Sequence, residues 1–407
     1  MRCGLLGKKL GHSYSPQIHS YLGSYDYMLF EKQPEELASF LRSDSFSGLN
    51  VTIPYKKDVI PYLDSLTDRA SALGAVNTIV RQQDGTLIGH NTDYFGFQSL
   101  LQRSGLNVAG KKVLVLGSGG ASATAVSVLN EEATEVIVIS RSGSNNYGNL
   151  SQHADASVIV NTTPVGMYPD VGIPPLDLSL FPNLEGVLDI VYNPARTQLL
   201  LDAEKRGLVA ENGLWMLVAQ AKESAEWFLG KKIPDDKIQQ IHSVLQKQME
   251  NIILIGMPGC GKSTIGQILA DRLHKKFIDA DIEIERLSGI TIPEIFARSG
   301  EQGFRMLETD VLSKIAKESG YVIATGGGCV TKAENYALLH QNGRIFWLQR
   351  DLERLATDGR PLSQAGRLME MYQIRKPMYE AFADYVVDNN GSLNNSLSAI
   401  LALEEEQ

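Results

Sequence analysis

Residues 253–266 read ILIGMPGCGKSTIG, an apolar run, a glycine-rich turn and the start of a helical pattern. Gly256, Gly261, Lys262 and Ser263 fit the spacing G-x-x-x-x-G-K-[ST], which predicts a phosphate-binding loop. Glycines let backbone N–H groups turn inward around an anion at a helix N-terminus, here across Gly259, Cys260, Gly261, Lys262, Ser263 and Thr264. The Lys262 ammonium can reach β- and γ-phosphates, and the Ser263 hydroxyl can ligate Mg²⁺. Cys260 has two readings: a thiol activated by the helix N-terminus, or a small buried side chain.

A second glycine-rich turn, VLVLGSGGASATAVSVL, spans residues 113–129. Gly117 and Gly119 fit the first two glycines of a dinucleotide fingerprint, and Ser122 stands where the third is expected. Gly117, Ser118, Gly119, Gly120 and Ala121 would then wrap the pyrophosphate. The next apolar run, EVIVISRS, ends in Ser140-Arg141-Ser142. A carboxylate there would suit the ribose hydroxyls of NAD; an arginine suits a 2′-phosphate, hence NADP.

Four short stretches precede that turn: GHSYSPQIH, GLNVTIPYKKD, GAVNTIV and GHNTDYFGF. They set Ser13, Ser15, Lys56, Asn77 and Asp93 beside turn glycines and prolines. Ordinary loop capping explains any one of them.

Strands and helices must hold these groups. Apolar runs alternating with helical patterns imply parallel sheets with ligands at the strands' C-terminal ends. The polar, charged segment 230–250 is the expected boundary, with enough apolar spacing for a short linking helix. The 407 residues suggest two or three domains, and 43% hydrophobic content supplies real cores. A net charge of −9 argues against nucleic-acid or anionic-membrane partners. There is no signal-peptide pattern or run of membrane-spanning length, and Cys3, Cys260 and Cys329 lack metal-ligand spacing. A cytoplasmic protein with reduced thiols is the expectation.

After the phosphate loop come FIDADIEIE, GEQGFRMLE, ATGGGCV, DGRPL and IRKPMY, in that order. Together with the loop they resemble the shikimate kinase family across residues 251–406. The resemblance implies that Asp281 holds the substrate hydroxyls and Asp279 lies near the magnesium. Arg305, the backbone at Gly327, and Arg375 would grip the substrate carboxylate. Arg360 would be the lid arginine on the transferring phosphates, Glu308 a carboxylate that orients the site, and Arg354 a stacking partner for adenine. The lid between Arg360 and Arg375 is shorter than usual in that family. A regulatory GTPase would need an N-K-x-D segment, which residues 251–407 lack.

The first half resembles shikimate dehydrogenase over residues 1–234. NTTPVGM, VLDIVYNPARTQLL and ENGLWMLVAQAKESAEWFLG continue the match. That resemblance implies an α/β substrate domain from residues 1–100 and 213–234 around a Rossmann-like NADP domain at 101–212. A linker at 235–250 and a parallel α/β P-loop domain at 251–407 would follow. Ser13 and Ser15 would hold the substrate carboxylate; Thr52, Asn77, Tyr192 and Gln220 would touch carboxylate or ring hydroxyls. Lys56 and Asp93 would be the catalytic pair, with Ile190 and Gly213 lining the nicotinamide. The segment 141–161 is too short and too aperiodic for the usual strand–helix unit, and a second basic residue after Arg141 is absent.

The joint expectation is a bifunctional enzyme using NADP(H), ATP and Mg²⁺. It would reduce 3-dehydroshikimate to shikimate, then phosphorylate shikimate at the 3-hydroxyl. A dehydrogenase half that only binds, or that uses quinate, is the alternative. Self-association as a homodimer stays open. The separation of the motifs predicts two chemically independent sites.

Overall fold

The computed structural model describes residues 1–11, 13–355 and 365–405. The chain divides into two compact units. Unit 1 comprises residues 1–165, 174–192 and 202–243; unit 2 comprises 166–173, 193–201 and 244–407.

Unit 1 contains two sheets. The first runs Asp26–Glu31, Arg2–Gly7, Gly48–Val51, Thr78–Arg81, Leu87–His90 and Ser65–Leu66 in spatial order. Arg2–Gly7 pairs in parallel with both neighbours, whereas Thr78–Arg81 is antiparallel to its own. The sheet's core includes Leu6, Leu49, Val51, Ile79 and the fully buried Tyr55. The second sheet is all parallel, in the order Val209–Asn212, Gly186–Asp189, Val158–Asn161, Lys112–Leu116, Glu135–Ile139. Every residue of Val158–Asn161 and Gly186–Asp189 is buried, as strands covered on both faces must be.

Two helices join the sheets. Asp93–Ser104 starts at an acidic residue and ends at Gly105 in the left-handed conformation, and it runs through the boundary expected at residue 100. Leu214–Leu229 crosses it closely at Gly96, where an added Cβ would lie 2.9 Å from the Met216 carbonyl and 3.0 Å from Gln220 Cβ. That crossing fixes Gln220 relative to the start of the first helix.

The crossover between Glu135–Ile139 and Val158–Asn161 holds no α-helix, only a 3-10 turn at Leu150–His153. Side-chain amides tie the loop instead. Asn149 Oδ1 accepts from Asn146 N at 2.8 Å, and Asn149 Nδ2 donates to the Ser144 carbonyl at 2.9 Å. Asn and Ser compete with helix formation through such local bonds, which explains the missing helical period.

Unit 2 is built on one parallel sheet: Lys276–Asp279, Tyr321–Ala324, Asn251–Ile255, Gly343–Gln349 and Tyr385–Asp388. Its central strand Asn251–Ile255 is buried throughout and aims into the phosphate loop. Within this unit, Ala195 N donates to Asn342 Oδ1 at 2.8 Å and Arg196 Nη1 to the His340 carbonyl at 3.1 Å. The helix Asp236–Met249 precedes the sheet. No described helix is long and apolar enough to cross a membrane.

Candidate active sites

In unit 1, Lys56 follows the strand Gly48–Val51, and its carbonyl accepts from Val76 N at 2.8 Å. Its ammonium donates to Asp93 Oδ2 at 2.5 Å. The other oxygen, Oδ1, accepts from Asn77 Nδ2 at 2.9 Å, and Asn77 also donates to Thr92 Oγ1 at 3.0 Å. Both carboxylate oxygens are therefore engaged, which fixes the aspartate's rotamer. Lys56 keeps further N–H donors for an oxygen placed beside it.

A second cluster lies at the helix Ser15–Leu22. Ser15 is its first residue, and Ser13 Oγ accepts from Ser15 N at 3.2 Å. Two hydroxyls at a helix N-terminus suit a carboxylate. Tyr14 meets Tyr192 edge-on with ring centroids 6.3 Å apart, which brings Tyr192 to this end. Burial raises the Tyr192 phenol pKa, and the neighbouring Tyr14 adds to that. Thr52 lies at the strand end, its N–H bonded to the Leu6 carbonyl at 2.9 Å. Gln220 donates to the Leu217 carbonyl at 2.8 Å.

The dinucleotide turn follows Lys112–Leu116. Gly117 has φ +108°, and a Cβ there would lie 2.8 Å from Thr162 Oγ1, so only glycine fits. Nothing lies within 4 Å of a Cβ built on Gly119 or Gly120. The open side of the turn, with Ser118 before it and Ala121 in the first turn of Gly120–Leu129, fits a pyrophosphate at a helix N-terminus. Ser122, in the third glycine's place, is buried in that same turn. Ser140 and the exposed Arg141 end the neighbouring strand. A Cβ on Gly213 would overlap the Ile190 carbonyl, so those two positions are in contact.

In unit 2 the phosphate loop has left-handed glycines at Gly256, Gly259 and Gly261 and runs into the helix Lys262–Leu273, which carries Ser263 and Thr264 in its first turn. Lys262 Nζ donates to the carbonyls of Gly256 at 2.9 Å and Met257 at 3.1 Å. The Cys260 side chain is fully buried, and its carbonyl accepts from Asn389 Nδ2. That burial supports the reading of Cys260 as a small buried side chain.

Ser263 Oγ donates to Asp279 Oδ2 at 2.5 Å, while Asp279 Oδ1 caps the next helix at Asp281 N. A hydroxyl and a carboxylate are hard oxygen donors. Among the described residues no group of three or more His, Cys, Asp and Glu could hold a metal. The pair fits Mg²⁺, a cation that keeps most of its shell for water and phosphate oxygens.

The triple glycine is where the substrate-binding candidates meet. A Cβ on Gly326 would lie 2.8 Å from Asp281 Oδ1 and overlap Glu308; one on Gly327 would lie 2.6 Å from Pro258 Cδ; one on Gly328 would overlap the Arg305 guanidinium. Arg305 donates through Nη1 to Glu308 Oε2 at 2.7 Å, and Arg375 Nη1 donates to the Gly327 carbonyl at 3.1 Å. Glu308 is wholly buried; burial raises its carboxyl pKa, with Arg305 pulling the other way. Arg354 lies apart from this set, donating to the Asn390 carbonyl. Arg360 falls outside the described residues.

The substrate-binding-domain profile of shikimate dehydrogenase matches residues 5–79, and the shikimate kinase profile matches residues 258–403. A shikimate dehydrogenase (NADP(+)) from Clostridium perfringens is 35% identical over 265 residues, 60% of this chain and 97% of that protein. The chain belongs to the shikimate dehydrogenase family. The solved chorismate mutase/shikimate 5-dehydrogenase fusion from Clostridium acetobutylicum is 34% identical, with a TM-score of 0.58 over 60% of this chain and 97% of its own. A Thermus thermophilus shikimate 5-dehydrogenase, solved with NADP(H) and shikimate, is 31% identical with a TM-score of 0.54 over 60% and 98%. The shikimate kinase domain follows on the same chain, making it a bifunctional shikimate-pathway enzyme that uses NADP in one part and ATP with Mg²⁺ in the other.

Several residues at the two sites were not among the sequence candidates, although all but Asn389 lie inside the quoted stretches. Tyr379 donates to the Gly327 carbonyl, one helical turn after Arg375; the i, i+4 spacing was the available signal. Asn389 supports the phosphate loop from across the sheet. Asn50, Thr78, Thr92 and Ser224 form a buried polar group behind Asn77. Sequence gives no reason to single those out.

Proposed function

We infer that the Lys56–Asp93 pair carries the reduction of 3-dehydroshikimate in unit 1, and that Asp281 presents the shikimate 3-hydroxyl to ATP in unit 2. The observation behind the first assignment is the 2.5 Å ion pair whose aspartate is held on both oxygens. Reduction of a ketone builds negative charge on its oxygen. Lys56 stabilises and protonates that oxygen, while Asp93 keeps the ammonium in place. The helix-start serines and Tyr192 hold the carboxylate; Asn77, Thr52 and Gln220 face the ring. NADPH supplies the hydride when bound. Gly117–Ala121 hold its pyrophosphate, Ser140 and Arg141 its 2′-phosphate, and Ile190 and Gly213 its ring.

In the kinase site, Arg305, Arg375 and the Gly327 backbone bind the substrate carboxylate, and Asp281 orients the attacking hydroxyl. Lys262 would exchange the loop carbonyls for phosphate oxygens, Ser263 and Asp279 would hold Mg²⁺, and Arg360 would supply positive charge to the transferring group. Glu308 fixes Arg305. Substrate lobe 1–100 with 213–234, NADP lobe 101–212, linker 235–250 and kinase domain 251–407 complete this reading. It places the enzyme in the cytoplasm, free of nucleic acid and membrane. A homodimer is the assembly to test by light scattering.

One assay decides the function: NADPH oxidation with 3-dehydroshikimate, then ATP consumption with shikimate, on the purified full chain. Failure of either reaction removes that half of the assignment.

A further inference from the structure

The Ser224 hydroxyl lies in the middle of the helix Leu214–Leu229 with none of its surface exposed. Groups from three other elements reach it. Asn50 Nδ2, on the strand Gly48–Val51, donates to Ser224 Oγ at 2.7 Å. Thr78 Oγ1, on Thr78–Arg81, is 2.8 Å away, and Thr92 Oγ1, just before the helix Asp93–Ser104, is 2.9 Å away. Ser224 itself donates to the Gln220 carbonyl at 2.9 Å.

Counting protons orders the part of this network that bears on Asn77 and Asp93. Ser224 has a single hydrogen, and the Gln220 carbonyl can only accept, so that hydrogen is used there. Ser224 Oγ then accepts from Asn50, and its remaining lone pair faces both Thr78 Oγ1 and Thr92 Oγ1. The Thr92 oxygen in turn accepts from Asn77 Nδ2 at 3.0 Å, and Thr92 N donates to Asn77 Oδ1 at 2.7 Å. This fixes the Asn77 amide with its nitrogen toward Asp93, where it donates to Oδ1 at 2.9 Å. Asp93 Oδ2 is left for Lys56. On the other side, Asn50 Oδ1 accepts from Tyr27 OH at 2.8 Å. Burial holds His19, stacked on Tyr27, near a pKa of about 3, and it raises the Tyr27 phenol well above its ordinary value. His19 and Tyr27 are therefore neutral members of this network.

We propose that Ser224 is a positioning residue for the dehydrogenase: its hydroxyl locks Thr92 and Asn77 in the orientation that aligns Asp93 with Lys56. The proposal rests on Lys56 and Asp93 being the acid–base pair. In a buried network every donor needs its acceptor, and losing one member reorients the rest.

Ser224→Ala and the near-isosteric Ser224→Cys are compared with the parent full chain. Kinase activity on added shikimate and the fraction folded serve as controls. In both variants kcat for 3-dehydroshikimate reduction falls on the order of 10-fold, the loss a small misplacement of a catalytic pair produces. The KM for NADPH is unchanged. Unchanged kcat in folded Ser224→Ala overturns the proposal, as does a loss that only tracks the folded fraction or that comes with an equal rise in the KM for NADPH. Lys56→Ala separates the two levels. If it leaves reduction intact, the acid–base assignment itself is wrong; if it abolishes reduction while Ser224→Ala does not, only the role of Ser224 fails.

Discussion

The two sites are held by opposite devices. The dehydrogenase site is specified by side chains: short polar residues from several elements hydrogen-bond one another behind Lys56 and Asp93. The kinase site is specified largely by backbone. Three glycines with positive φ shape the phosphate loop, and Gly326–Gly328 leave room for Asp281, Glu308 and Arg305. The first should therefore fail when a polar atom is removed, and the second when a carbon is added.

The largest expected effects test whether the sites are separable. Lys56→Ala should lower dehydrogenation by about 10²–10⁴ and leave phosphorylation of added shikimate near normal. Lys262→Ala should do the reverse, since that lysine touches only the phosphate loop and the phosphates it would hold. Steady-state rates of both reactions on each variant are the readout; a dead kinase in well-folded Lys56→Ala would break the comparison.

The next effect sharpens the backbone half. Gly328→Ala puts a carbon into the Arg305 guanidinium, and an overpacked site costs about 1–3 kcal/mol, so kinase kcat/KM for shikimate should drop roughly 10- to 100-fold. Gly289→Ala is the contrast, because its built Cβ meets nothing within 4 Å although its φ is +71°. It should weaken stability modestly and spare the kinase KM. Equal losses in both would mean that backbone conformation, not space around Arg305, sets the effect.

A cofactor effect of similar or smaller size belongs to Arg141. Its removal should narrow the preference for NADPH over NADH by about 1.5–3 kcal/mol, the range for a charge-assisted hydrogen bond. Comparing kcat/KM for the two cofactors decides it. Equal efficiency in the parent enzyme would remove Arg141 from the cofactor site.

The smallest effect concerns a pocket of about 490 Å³ lined by Phe95, Lys222, Glu223 and Glu226 among others. Burial raises the Glu223 pKa to about 7. A carboxyl whose folded pKa is raised favours the protonated folded state, so its stabilisation is full below about 4.5 and is lost as pH rises through about 7. Glu223→Gln should flatten the pH dependence of the dehydrogenase's thermal inactivation across that window. An unchanged slope would show that Glu223 is solvated.

Much of this was legible in the sequence because it depends on local spacing. The phosphate loop, the Gly117 turn and the alternation of strands and helices are short-range patterns. Glycine spacing alone dictates where a backbone can curl around an anion. The poor helical period after Arg141 likewise showed in composition, since Asn and Ser divert the chain into loops such as 144–149.

What the sequence left unreadable is set by contacts between distant residues. Ser224 and Asn50 are separated by 174 positions, and nothing in either neighbourhood marks the hydrogen bond they share. The resemblance marks Gly327 as a site position, but no local pattern shows that Glu308, Pro258 and Arg305 pack against Gly326, Gly327 and Gly328. Cys260 could be an activated thiol or a small buried side chain by its position in the loop; only the fold shows that its side chain is fully buried. Residue type and spacing determine which groups are chemically able. Only the tertiary fold, by removing water and fixing which donor faces which acceptor, decides which of them are held in place to act.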